Sequence, residues 1–234
     1  MRHTPTMLRV GHKGADAVVP GNTRASFDAA RALGVDMIEF DVLRAPDGRL
    51  VIAHDFEDAE RRDALELAAA LDHLADAAYA GLELDVDLKL PGYEREVVEA
   101  LDRRGLSARA LVSTVWAESL DRLGELRPGL RRGWSVPRAR RDYTQGRATA
   151  LPAHVMLAYG RRALPRRATA MLRAGRCEAV MAYHRLVTPA LLAAVHREGG
   201  RLFVWTVDEA EPLRRLRTLG VDGVITNDPR LFAA

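Results

Sequence analysis

Between residues 8 and 226 short apolar runs alternate with amphipathic helical stretches, and this alternation confines the chain to a largely parallel sheet covered by helices. Two parallel strands cannot be joined by a tight turn; the crossover needs about a dozen residues or more and is usually a helix. Strands are expected over 8–11, 35–42, 49–53, 82–90, 110–113, 130–135, 179–183, 202–207 and 223–226, and helices over 23–33, 64–78, 94–103, 118–126, 189–198 and 209–219. Pro46-Asp47-Gly48 is a turn signal, so 49–53 returns as a short hairpin after strand two. The segment 137–176 reads as an irregular helical excursion, with an extra strand over 154–159 as the alternative. Eight principal strands plus the hairpin strand fit a single α/β domain over 1–234, a closed (β/α)8 TIM-type barrel. A doubly wound open sheet would alternate in the same way, and periodicity does not separate the two.

Composition narrows the class further. The longest apolar stretches, 64–71 and 191–195, fall far short of the roughly 20 residues that cross a bilayer, and the first residues lack the apolar core of an export signal. A cytoplasmic protein is expected, without integral membrane association; transient lipid contact is compatible with this reading. One cysteine, Cys177, cannot form an intramolecular disulfide and reads as a packed small side chain. The net charge is +3, and the arginines of the second half lack interleaved aromatics, so no nucleic-acid partner is expected. Of the 35 basic residues only Lys13 and Lys89 are lysine. In so arginine-biased a chain, those two positions are ones where a compact ammonium is favoured over a planar guanidinium.

In a barrel the site lies at the C-terminal ends of the strands, and the unlike polar residues collect there. His12 and Lys13 follow strand one, Glu39 and Asp41 close strand two, His54 ends the hairpin strand, and Asp85, Asp87 and Lys89 lie along the 82–90 strand. Glu39 and Asp41 share one face, as do Asp85, Asp87 and Lys89. Carboxylates on an inward face need compensation, and a divalent cation supplies it; all-oxygen ligation suits Mg2+ or Ca2+. Salt bridges to nearby arginines are the alternative for each pair taken alone. His12 and His54 suit general acid and base near neutral pH, whereas His73 and His196 sit within helical patterns and read as structural. His184, after a strand, is a weaker binding candidate.

These residues fall within a set of motifs. Gly11-His12-Lys13-Gly14, Pro20-Gly21-Asn22-Thr23, Ile38-Glu39-Phe40-Asp41-Val42, Asp47-Gly48 and His54-Asp55 together resemble the N-terminal signature of the glycerophosphodiester phosphodiesterase family. Val86-Asp87-Leu88-Lys89, Val204-Trp205-Thr206-Val207 and the run from Leu219 to Asn227 resemble its later strands. The resemblance implies a (β/α)8 barrel with His12 and His54 as the acid/base pair and Glu39, Asp41 and Asp87 binding one divalent cation. It further implies that Lys13 and Lys89 contact phosphate and that Trp205 forms an apolar wall for the substrate's alcohol, although a barrel-core aromatic would explain Trp205 equally well. Lys13 stands where the family has arginine, Gly21 where it has glutamate, and Asp87 where it has glutamate. Asp16, in the same loop as Gly21, is placed to restore a carboxylate. The implied reaction is hydrolysis of a small-molecule glycerophosphodiester to sn-glycerol 3-phosphate and an alcohol. Two other readings accompany it: a lysophospholipase D-like phosphodiesterase, and a barrel that binds phosphodiesters without turning them over.

Overall fold

In a computed structural model of the chain, which describes residues 7–138 and 150–233, the strands close on themselves. Among the described residues there are nine strands: β1 (Leu8–Gly11), β2 (Met37–Arg44), β3 (Leu50–Ile52), β4 (Glu83–Leu88), β5 (Ala110–Thr114), β6 (Arg131–Val136), β7 (Ala179–Tyr183), β8 (Arg201–Trp205) and β9 (Gly223–Thr226). Eight of them form a parallel ring in the order β1-β9-β8-β7-β6-β5-β4-β2, sealed by pairing of β1 with β2. That seal decides for the barrel over the open sheet. The ninth, β3, lies antiparallel on the end of β2, with Val42 opposite Ile52, as the turn at Pro46 to Gly48 predicts.

The helices are α1 (Arg24–Ala32), α2 (Phe56–Arg61), α3 (Leu67–Leu74), α4 (Glu94–Asp102), α5 (Ala117–Leu126), α6 (Ala150–Arg173), α7 (Pro189–Arg197) and α8 (Ala210–Leu219). Local chemistry sets their ends. Thr23 accepts the N–H of Ser26 to cap α1, and Thr188 accepts that of Leu191 to cap α7, where Pro189 takes the first helical position. Gly220, left-handed at φ 86°, ends α8. Among the described residues no helix is long and apolar enough to cross a membrane.

The structure adds one helix and decides one alternative. The hairpin strand is followed by α2, which Asp55 caps by accepting the N–H of Asp58. Over 154–159 the helical reading holds against the strand: that stretch lies inside the 24-residue helix α6. Pro152 and Pro165 suggest irregularity in the sequence, but Pro152 falls in the first turn, where its missing N–H breaks no intrahelical bond. Burial of Leu164 and Ala168 against the shell around β6, β7 and β8 holds the rest, Pro165 included. Residues 139–149 of the same sequence segment lie outside those described.

Apolar layers fill the space between barrel and helices, and Cys177 is packed within one of them. A separate cluster, Val10, Met37, Leu111, Ala179, Met181, Phe203 and Ile225, plugs the barrel interior. Phe203 fits because β9 carries no side chain at the facing position, where a Cβ at Gly223 would lie 2.4 Å from its ring. Gly133 does the same for Leu111 and Met181, which a Cβ there would approach to 2.9 and 3.1 Å. The plug is the floor on which the polar residues at the strand ends stand. Gly223→Ala is expected to overpack it and cost about 1–3 kcal/mol in urea-unfolding stability; a variant as stable as the parent would remove this close approach from the account.

Candidate active site

Register brings the predicted carboxylates together. On β2 and β4, Glu39 pairs with Asp85 and Asp41 with Asp87, with Ser113 of β5 beside Asp87. Side chains two apart share a face, so two tiers of carboxylate rise above the apolar plug. Glu39, Asp41 and Asp85 are buried, and Asp87 is partly exposed. Lys89, one turn of the pleat beyond Asp87, places its ammonium in ion pairs with both Asp41 and Asp87.

One ammonium does not balance this much negative charge. Burial and the neighbouring Asp41 hold the Glu39 carboxyl well above the ordinary carboxylate range. Burial also pushes Asp41 upward, but Lys89 and the two histidines overcome it and leave the net direction down. Lys89 answers in kind: burial lowers it, and Asp41, Asp87 and Glu39 raise it well above the usual lysine value. Beneath them Asp85, with its Oδ1 lacking a hydrogen-bond partner among the described residues, is pushed up to about 8 by burial and then by Asp87. One carboxylate oxygen from each of Glu39, Asp41 and Asp87 lies within 4.8 Å of the others. Three converging hard oxygen donors with excess negative charge fit a divalent cation.

The loop from β1 to α1 is bent around this cluster. Lys13 and Asn22 adopt left-handed backbone, φ 50° and 56°, a conformation that costs energy outside glycine and gathers at functional sites. Lys13 then donates its N–H to Glu39 Oε2 at 2.8 Å. Asn22 grips Asp41 from two sides: its Nδ2 donates to Asp41 Oδ2 at 2.8 Å and its Oδ1 accepts the Asp41 N–H at 3.2 Å. The expected compensation by Asp16 has a geometric basis. Asp16 Oδ1 accepts the N–H of Gly21 at 2.8 Å, its Oδ2 lies 3.6 Å from Lys13 Nζ, and a Cβ at residue 21 would come within 2.5 Å of Asp16 Oδ1. Asp16 occupies the space that a side chain at 21 would need.

The two histidines stand in unlike settings. His12 Nδ1 is 2.6 Å from Asn227 Oδ1, and its Nε2 faces Glu39 Oε2 at 3.8 Å. Burial lowers the His12 pKa against the opposing pull of Asp41. His54 is half exposed, with Nδ1 3.1 Å from Asp55 Oδ2, yet close enough for its charge to act on Asp41. A cavity of about 280 Å³ lies between Lys13 and His54, with Asp16, Asp58, Arg61 and Arg62 also in its wall. Trp205 is not part of that wall. It donates its indole N–H to the Met181 carbonyl, lies 5.7 Å from the Tyr183 ring and lines a second cavity of about 270 Å³ with His184 and Asp208. It also packs on the interior plug, as a barrel-core aromatic does.

Three contributors escape a sequence reading. Arg62 donates to the carbonyls of Gly21 and Ile52 and pairs with Asp58, tying the β1–α1 loop to the hairpin strand. Asn227 orients His12, and Asp208 bonds Asn227. The Arg62 role runs through backbone carbonyls, which no residue pattern announces; Asn227 lies at the end of the 219–227 run, where its type alone does not mark it as a histidine partner. His73 bonds Asp28 and Tyr79, and His196 bonds Asp222, the structural parts expected of them.

A closed barrel whose strand ends carry clustered carboxylates, two lysines and a partly buried histidine has the site architecture of a barrel enzyme. A family model described as the glycerophosphoryl diester phosphodiesterase family matches residues 12–66 and 87–231, and the chain belongs to that family of phosphodiesterases. A glycerophosphodiester phosphodiesterase of Caldanaerobacter subterraneus subsp. tengcongensis is 27% identical, covering 95% of this chain and 94% of that relative. One of Bacillus subtilis is 24% identical, covering 97% of this chain and 85% of the relative. Among solved structures, a glycerophosphodiester phosphodiesterase from Parabacteroides distasonis gives a TM-score of 0.76 at 16% identity, covering 98% of both chains. A phosphodiesterase from Oleispira antarctica, solved with the product sn-glycerol-3-phosphate, gives 0.69 at 18%, covering 97% of both. These structural likenesses carry the fold.

The Asp85 environment yields a pH signature. Its proton is retained in the fold up to about pH 8, whereas an unfolded chain releases it near 4. Stability from this group is therefore fully present below about pH 4 and is lost as pH rises through about 8. In metal-free protein, Asp85→Asn should gain on the parent by at least about 2 kcal/mol between pH 5 and pH 9 in urea unfolding. A difference that does not change with pH would place the proton elsewhere.

Proposed function

We propose that this enzyme hydrolyses glycerophosphodiesters to sn-glycerol 3-phosphate and an alcohol, with His12 and His54 moving the protons. The convergence of Glu39, Asp41 and Asp87 beside Lys89 and within reach of His12 carries the reading. Those three carboxylates would hold one divalent cation, Mg2+ or Ca2+, which when bound polarises a phosphoryl oxygen and neutralises developing charge. Lys13 and Lys89 present the chain's two ammonium side chains to the phosphate. One imidazole takes a proton from the attacking oxygen and the other gives one to the departing alkoxide. The cavity between Lys13 and His54 gives one substituent of the diester a polar wall; the Trp205 cavity offers the other an aromatic one.

Turnover of glycerophosphocholine and glycerophosphoethanolamine, coupled to glycerol 3-phosphate detection, tests this directly. With Mg2+ or Ca2+ the parent should form product, chelator should abolish it, and His12→Ala should lose at least about 100-fold in kcat. Asp87→Asn should raise the cation concentration needed for half-maximal rate. Product formation indifferent to chelator would overturn the cation's role; turnover of lysophospholipids alone would move the assignment to a lysophospholipase D activity.

A further inference from the structure

Three neighbouring strand ends of the ring, β8, β9 and β1, place Asp208, Asn227 and His12 side by side. Backbone bonds fix the spacing: His12 N–H donates to the Thr226 carbonyl at 2.8 Å, Ala17 N–H to that of Asn227 at 2.9 Å, and Val207 N–H to that of Ile225 at 3.0 Å. Across this frame, Asp208 Oδ1 accepts the Asn227 N–H at 2.9 Å and the Thr226 hydroxyl at 3.2 Å. Asp208 Oδ2 accepts from Asn227 Nδ2 at 2.7 Å. Asn227 Oδ1 then faces His12 Nδ1 at 2.6 Å.

A primary amide has two unlike ends, and which end faces a neighbour must be settled by that neighbour's chemistry. A carboxylate only accepts, so Asp208 draws the NH2 end of Asn227 and turns its carbonyl to His12. That carbonyl also only accepts. The hydrogen between Asn227 and His12 must come from the ring, and Nδ1 carries it. The other tautomer would set the Nδ1 lone pair against those of Oδ1 at 2.6 Å. Nε2, which faces the Glu39 side of the site, is left with its lone pair directed there.

We propose that Asp208 is a positioning residue that fixes the ring tautomer of His12 through the side-chain amide of Asn227, so that Nε2 is the proton-accepting atom. The proposal rests on the reading of His12 as a proton-transfer group, and it assigns a part to two residues that have no role in the chemical steps of that reading. Asp208→Asn is the informative substitution because it is isosteric. Its Oδ1 can still accept from Thr226 and Asn227, while its new NH2 meets the NH2 of Asn227. The clash is relieved by turning Asn227 over, which presents an N–H to His12 and moves the ring hydrogen to Nε2.

The tautomer is read on the full-length, metal-free protein by long-range proton–nitrogen NMR of the imidazoles, with the His12 signals assigned by their loss in His12→Ala. The parent should show Nδ1–H and a bare Nε2, and D208N the reverse. With the cation present, D208N should lose at least about tenfold in kcat with KM within about twofold, as a wrong tautomer disables a general base. The exchanged pair D208N/N227D should restore Nδ1–H and return kcat to within about threefold of the parent, because a carboxylate at 227 accepts from His12 whichever way it turns. A D208N protein that keeps Nδ1–H, or that switches tautomer at unchanged kcat, would overturn the proposal. So would an exchanged pair with Nδ1–H restored and activity still lost, since the damage would then be to the loop. Full activity of His12→Ala would instead remove the underlying assignment of His12, and the NMR result would still decide what Asp208 does to the ring.

Discussion

The partly buried ammonium of Lys89, paired with Asp41 and Asp87, is the interaction around which the mouth of this barrel is organised. Two carboxylates on each of two adjacent strands would repel one another strongly in a low-dielectric interior. Lys89 reduces that repulsion from the one direction open to it, along β4 and past its end. It settles the cluster only in part: Asp41 is held ionised, while Glu39 and Asp85 keep their protons more tightly than exposed carboxyls do. A buried charge cluster left short of cations is weak evidence for stability and stronger evidence for a binding site.

Everything around the cluster serves to aim it. From below, the plug of Phe203, Met37, Met181 and their neighbours stops the inward-facing residues from sinking into the barrel. From one side, the β1–α1 loop bends through two non-glycine left-handed residues to bring Asn22 onto Asp41 and the Lys13 N–H onto Glu39. Lys13, Asp16 and Gly21 form one unit in that loop. The glycine leaves space, the aspartate fills it, and the ammonium lies near the aspartate. Together they place a cation and a carboxylate at the same edge of the site.

Much of this was legible in the sequence. The alternation of strands and helices held from end to end, and the same-face argument correctly grouped Glu39 with Asp41 and Asp85 with Asp87 and Lys89, because the period of a strand is a local property. The pairing of Asp41 with Asp87 was not legible, because register between strands is set by packing of whole βα units and leaves no mark in either segment alone. Closure of the ring likewise depends on β1 meeting β2 beside β9, which is a property of the whole sheet. Helix α2 carries a readable signal in Asp55 followed by acidic first-turn residues, but at six residues it is too short to show an apolar periodicity. Arg62 and Asp208 act by holding loops and an amide in place. Their identities become informative only once the atoms they hold are known.

The confinement of lysine to Lys13 and Lys89 gives the site a chemical address. Every ε-amino group of this chain belongs to the candidate active site, while the many other cations are guanidinium groups that ordinary acylating reagents leave alone. The two differ in kind. Lys89 is locked between carboxylates, whereas Lys13 opens onto the cavity shared with His54. Apart from the chain's α-amino group, amine-directed chemistry that would scatter over most protein surfaces has one destination here, and a label on Lys13 would report on the mouth of the barrel and nothing else.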